Sequence, residues 1–356
     1  MTASERSYVG LAKQTAKGTP NTTDANFDYI LFTEGGIGPQ NVNVPLDQEV
    51  GGGAMLRSMI KAGVTSAGVF TLIPRPLTVG HFLLGAFGQV AEPVQKGATT
   101  AYEHVFTLPT DQFTAPYYTL RAAPGNMWGE QFQDCRVALF GLNWKAADYI
   151  RGQAAFQGGL PTPLATDGDD WGAPDKVDKG PQFIAPKSII ELPDLGAGTS
   201  NVKVLNGSFV AGMNIPLDEQ WITGSYSPDD FDINSRMYSL SLALKVTSID
   251  LYEKANYDPL QAGAWVADIF REGRVSVKFV SDQLAGTGYP YSLEIEANGQ
   301  AGDSGNVAWT ATPVGMRAGR QIVMNITGTF LASPTADEPI KATLINQKST
   351  QYGVYA

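Results

Sequence analysis

One cysteine, Cys135, and two histidines, His81 and His104, are all the thiol and imidazole in 356 residues. A lone cysteine excludes an intrachain disulfide and a cysteine-based metal site. The two histidines fall in different elements, with no partner nearby for a Cys–His nucleophile. Positive charge is also scarce. The 25 Lys and Arg against 35 Asp and Glu leave a net charge of −10, which argues against a protein that grips nucleic acid, because phosphate binding draws its affinity from clustered cations. Long apolar runs are missing too: the most apolar stretch, LTVGHFLLGAFGQV at 77–90, is broken by Gly80, His81 and Gly85 and is too short for a membrane span. The N-terminal MTASERSYVGLAKQTAKGTP has no apolar segment of the kind a secretion signal needs. A soluble cytoplasmic product is expected. What the chain does have is 39 Gly and 22 Pro beside 43% hydrophobic residues, which favours turns and strands over long helices.

The phrase NVPLDQE at 43–49 returns as NIPLDEQ at 214–220, 171 residues later. Three further matches follow in order: TVGHFLLGAF from Thr78 with TSIDLYEKANY from Thr247, PYYTLRAAPG (116–125) with PYSLEIEANG (290–299), and RGQAAFQG (151–158) with QIVMNITG (321–328). Their offsets stay between 169 and 174, so an internal duplication is the reading. In the first copy, alternation predicts strands near 38–45, 64–73, 102–108, 117–123, 135–144 and 149–158. A short helix is predicted where Val79, Phe82, Leu83, Ala86 and Phe87 recur at helical spacing. The second copy predicts a strand ending in NIPLD, strands at 238–246, 274–280, 291–297, 306–313 and 320–328, and a helix opened by Thr247 and Asp250 as a capping box. Segment 159–186 is rich in Gly, Pro and Asp without period and reads as a linker. The expected division is an N-terminal arm (1–30), a first repeat (31–160), an acidic linker (161–185), a second repeat (186–330) and a C-terminal arm (331–356).

No constellation reads as an active site. DGDDW at 167–171 lacks the ligand spacing of a calcium loop, and GGGA at 51–54 is followed by no Gly-Lys-Ser/Thr. His81 is placed on the polar side of the helix and His104 in a strand, both as surface or interface residues. Cys135 is expected to be a small buried apolar side chain. Asp229 and Asp230 sit in a turn-rich loop and are read as solvated. No catalytic, cofactor-binding or metal-binding residue is assigned.

The opening SERSYVGLAKQTAKGTP, an extended segment, the VPLDQE turn, a long loop, a strand, a short helix and a closing hairpin resemble in their order the major tail tube proteins of long-tailed bacteriophages. The resemblance implies a mainly β fold: two tandem β-sandwich or half-barrel domains of about six strands, each with one short flanking α-helix. It implies a structural, non-enzymatic protein of the virion tail, assembled in the host cytoplasm without cofactor or membrane. Its implied partners are itself, the tape measure, tail tip and tail terminator proteins, and double-stranded DNA that passes through the lumen without specific binding. Many relatives carry one sandwich and build six-membered rings, so a chain with two would close the ring as a trimer, in stacked rings that conduct DNA on ejection. The alternatives are another self-assembling β subunit, of capsid decoration or pilus-like type, and a carbohydrate-binding sandwich.

Two residue sets follow from these readings. The loops after the repeated phrase, 47–62 and 218–235, are expected to make contacts between stacked rings through Asp47, Glu49, Arg57 and Lys61 in the first and Asp218, Glu219, Asp229 and Arg236 in the second. Alternation along the closing strands, carried across by a 170-residue offset, places Arg151, Gln153, Gln157, Gln321, Asn325 and Thr327 on the lumen. Phe156, Ile322, Met324 and Ile326 are then packed into the sandwich.

Overall fold

The computed structural model describes residues 7–47, 55, 58–111, 113–126, 128–164, 179–192, 203–245, 271–272, 274–298, 307–311, 322–332 and 340–355. In chain order the elements begin with β1 (Tyr8–Lys13), β2 (Asp28–Tyr29), β3 (Phe32–Pro45), β4 (Met59–Leu72), helix α1 (Val79–Phe87), β5 (Gln89–Val90), β6 (Val94–Gln95), β7 (Tyr102–Thr107), β8 (Tyr118–Ala123), β9 (Gly129–Lys145) and β10 (Arg151–Gly158). They continue with β11 (Pro161–Leu164), β12 (Ile184–Glu191), β13 (Lys203–Asn214), β14 (Ser235–Lys245), β15 (Arg271–Glu272), β16 (Arg274–Gly286), β17 (Tyr289–Asn298), β18 (Val307–Ala311), β19 (Val323–Phe330) and β20 (Ile340–Asn346). The fold is mainly β. Two antiparallel sheets face each other across one continuous core.

The larger sheet runs β18–β19–β14–β13–β9–β10–β4–β3, with β15 outside β18. Its two halves repeat one pattern: β3 pairs with β4, β4 with β10 and β10 with β9, while β13 pairs with β14, β14 with β19 and β19 with β18. A β-bulge sits between Phe32 and Glu34 opposite β4, and another between Val204 and Asn206 opposite β14. They are 204 − 32 = 172 positions apart. The same offset carries Gly152 opposite Leu72 onto Met324 opposite Leu244. Bulges redirect a strand at a fixed position, so a shared bulge in shared register is a stronger likeness than strand order alone. The closing strands are thus related by 172 positions rather than 170. A two-residue slip keeps every side chain on its own face.

The likeness does not extend to every matched segment. PYYTLRAAPG supplies β8, which pairs with β1 and β9, whereas PYSLEIEANG supplies β17, which pairs with β16 and β20. The second sheet runs β12–β16–β17–β20–β7–β5. Here β20, from the expected C-terminal arm, stands between β17 of the second half and β7 of the first. The expected N-terminal arm likewise contributes β1 to the ladder with β8, and 161–164 of the expected linker is β11, paired with β9. Both termini are therefore woven into the sheets. The second predicted helix, at 247–257, lies outside the described residues, as do GGGA and DGDDW.

α1 lies in the core with all nine of its residues buried, His81 being the one polar side chain among them. The Phe82 ring stacks on Phe140 at 6.0 Å and meets Phe156 at 6.1 Å. Gly80 leaves room for the buried Tyr352 ring, which a Cβ there would meet at 2.2 Å. Gly88 ends the helix at φ 97 with its N–H on the Leu84 carbonyl, the left-handed turn that favours glycine. The C-terminal carbonyls of Ala86 and Phe87 each accept from the Arg236 guanidinium at 2.8 Å, and the Tyr238 hydroxyl donates to Ala86. A strand of the second half thereby caps the helix of the first. Phe82→Ala should cost about 3–5 kcal/mol of unfolding free energy in urea titration, whereas Phe113→Ala, at an exposed ring, should stay within about 0.5 kcal/mol.

Candidate assembly face

Side chains paired in register across antiparallel strands share a face, so the open face of the larger sheet can be followed from edge to edge. One row reads Glu34, Thr71, Gln153, Gly141, Val210, Ser239, Thr329 and Ala308. A second reads Arg151, Asn143, Ser208, Ser241, Thr327 and Thr310. Only Glu34 and Arg151 in these rows carry charge. The rest are uncharged, and the next positions along the strands bring Lys145, Lys203 and Lys245 to the same face. Arg151 donates to Asp148 at 2.8 Å and lies over the Tyr149 ring at 4.5 Å. Its hydrogen bond holds the Asp148 carboxyl below the usual range.

Arg151, Gln153, Asn325 and Thr327 are exposed and alternate with buried Ala154, Phe156, Met324 and Ile326. Gln157 shares their face but is half-buried, opposite Arg136. Ile322, expected in the core, is 44% exposed: β19 begins at Val323, so the alternation that buries Met324 does not constrain the residue before it. Gln321 lies outside the described residues.

The loop residues divide. Asp47, Lys61, Asp218 and Glu219 are exposed, with Lys61 in β4 rather than in a loop. Glu49 and Arg57 lie outside the described residues. Arg236 is committed to the end of α1. Asp229 and Asp230 meet Lys17 at 3.6 and 3.0 Å, and the Tyr117 hydroxyl donates to Asp230 at 2.6 Å. Burial opposes the Asp230 charge, but the bonds from Tyr117, Phe231 N–H and Lys17 hold its pKa below the ordinary value. Asp229 is exposed, as expected, while Asp230 is largely covered, and through Lys17 the two tie the 217–234 segment to the N-terminal region. That segment crosses into the first half: Val64 N–H donates to the Tyr226 carbonyl at 2.7 Å, and the Trp221 ring lies against Gly63.

Both histidines are buried, not at the surface as expected. The helical spacing that put His81 on a polar face could not anticipate that the C-terminal tail covers that face. His81 Nε2 is 2.6 Å from Asp28 Oδ2, which Lys348 Nζ also approaches at 3.2 Å. His104 Nε2 lies 2.9 Å from the Lys348 carbonyl and 3.1 Å from Asn346 Oδ1, and Asn346 donates to Tyr352 and to the Pro76 carbonyl. These bonds anchor the tail. Cys135 is fully buried and burial pushes its thiol far up. Among the described residues no group of His, Cys, Asp and Glu could hold a metal ion.

Over residues 4–328 the sequence matches the family described as phage tail tube protein. The chain belongs to that family. A search of curated proteins returns no match. A tail tube protein is a structural component of the virion tail that assembles with copies of itself and other tail components, and a broad, strand-built face suits that task better than any cleft. No helix among the described residues of this tail tube chain is long and apolar enough to cross a membrane.

The tail anchor has a pH signature. Burial works against the Asp28 charge, but the hydrogen bond from His81 and the charges of His81 and Lys348 hold its pKa well below the usual carboxylate range. A depressed carboxyl contributes stability that is complete above its unfolded value of about 3.9 and lost as pH falls through the folded value. Asp28→Asn should therefore lower stability at pH 7 by about 2 kcal/mol and flatten the loss of stability in acid, as read by denaturant titration across pH 2–7.

Proposed function

We propose that three chains close into a pseudo-sixfold ring and that stacked rings form the DNA-conducting tube of the phage tail. The observation that carries this reading is the ladder between β9 and β13, which joins the two halves of one chain over seven registered pairs from Lys145–Asn206 to Leu139–Gly212. Among the described residues β3, the counterpart of β13, has no strand on its second edge. β18, the counterpart of β9, is paired on that side only at Val307 and Ala308, by β15. β8 does the same to β9, no further than Cys135, before β13 takes over. An unpaired strand edge is a template for another chain, and the internal ladder supplies its geometry: β18 of one chain against β3 of the next.

Two repeats per chain, 31–160 and 186–330, then make a six-unit ring from a trimer. Three sets of eight paired strands give 24, more than the roughly 16–18 that already leave an aqueous channel. The open face becomes the lumen, lined by Arg151, Gln153, Gln157, Gln321, Asn325 and Thr327. The chain's net charge of −10 opposes strong phosphate binding, and the lysines of this face, Lys145, Lys203 and Lys245, cluster at one end of it, so DNA passes without being gripped along its length. No catalytic step enters this function. Contacts between stacked rings, and with the tape measure, tail tip and terminator proteins, fall to the polar loop ends that carry Asp47, Asp218 and Glu219.

The internal register names a cross-link. Ala311 faces Ile326 as Phe140 faces Ala154, so Leu139 corresponds to Thr310, while Gly212 corresponds to Gln40. Oxidised Gln40→Cys/Thr310→Cys protein should give covalent species that end at three chains on non-reducing gels. Ladders running past three chains, or no cross-link in assembled material, would overturn the trimeric ring.

A further inference from the structure

The two ends of the larger sheet carry opposite charge. At one end β9 finishes on Lys145, β13 begins at Lys203 and β14 finishes on Lys245. Lys203 stands opposite Lys245, and Lys145 opposite Asn206 of the same β13. Arg151 beside them is paired with Asp148 at 2.8 Å, whereas none of the three lysines is in an ion pair with a described residue. At the other end β3 runs out at Pro45 with Asp47 just beyond it, and β13 runs out at Asn214 into the short turn Leu217–Glu219 that carries Asp218 and Glu219. These three carboxylates are exposed and equally unpaired among the described residues. Lys61 lies at the acidic end and Glu34 near the basic one, and each is outnumbered there.

The twelve residues of β13 hold the two ends roughly 36 Å apart at about 3.3 Å per residue, several times the screening length of about 8 Å at physiological salt. Within one chain the ends therefore do not neutralise each other. Strands of a closed barrel run at a tilt from one rim to the other, so in the ring these ends form its two rims. We propose that stacked rings join head to tail through this charge polarity, the rim of Lys145, Lys203 and Lys245 on one ring set against the rim of Asp47, Asp218 and Glu219 on the next. The occupant of the lysine rim is a second copy of this chain, because the chain itself carries the complementary carboxylates at the place that stacking brings to it. An inverted ring opposes lysine to lysine and carboxylate to carboxylate, which selects against it. A head-to-tail contact does not close on itself along the axis, so it propagates into a filament. The assignment rests on the stacked ring proposed above, and adds to it the partner of the acidic loop ends and the direction of the tube.

The test uses full-length protein carrying the Gln40→Cys/Thr310→Cys pair, which reports rings independently of tubes. One variant adds Lys145→Glu, Lys203→Glu and Lys245→Glu, a second adds Asp47→Lys, Asp218→Lys and Glu219→Lys, and a third adds all six. In sedimentation at low salt each single reversal should lower pelletable polymer by about tenfold or more, while the three-chain cross-link persists. The protein with both reversals should recover polymer toward the parent level, since opposite charges again face each other. Normal polymer from either single reversal overturns the charge pairing, and so does a loss in both that the combined protein fails to recover. If the reversed lysines leave polymer intact and instead weaken retention of added double-stranded DNA fragments in the tubes, the rim binds phosphate and the proposal is overturned. If the parent forms no three-chain cross-link, the ring reading fails first, and this assignment with it.

Discussion

The ladder between β9 and β13 is the constraint on which the rest of the molecule depends. It makes one sheet of two four-stranded units, and it exists because β9 is long enough, at 17 residues, to serve β8 and β11 at one end and β13 at the other. A shorter strand would leave two sheets with four free edges. Because it runs through, the chain presents one broad face and two terminal edges. Burial follows from the same arrangement. The residues of β9 that face inward, Val137, Phe140 and Leu142, enter a single core with α1 and both halves of the larger sheet.

The edges carry the logic from chain to assembly. In the proposed ring, backbone pairing between β18 of one chain and β3 of the next would repeat the β9–β13 ladder and so set direction and register.

Much of this was legible in the sequence because strand side chains alternate and the chain repeats. The parity of RGQAAFQG and VMNITG placed Arg151, Gln153, Asn325 and Thr327 on one face, and a two-residue error in offset left that parity intact. Other features had no local signal. β20 lies between β17 and β7 through pairings that span much of the chain, so its sequence looked like a terminal arm. His81 sits at a polar position of a helix whose polar face is covered by Tyr352, and helical spacing cannot register a cover that arrives from the far terminus.

A helical reconstruction of the polymerised protein by electron cryo-microscopy tests the account most directly, through the number of chains in each disc and the neighbour of β3. The account predicts three chains per disc and an unbroken barrel in which β3 of each chain lies antiparallel to β18 of the next. Six chains per disc, or a β3 edge left open to solvent in the assembled tube, would contradict it.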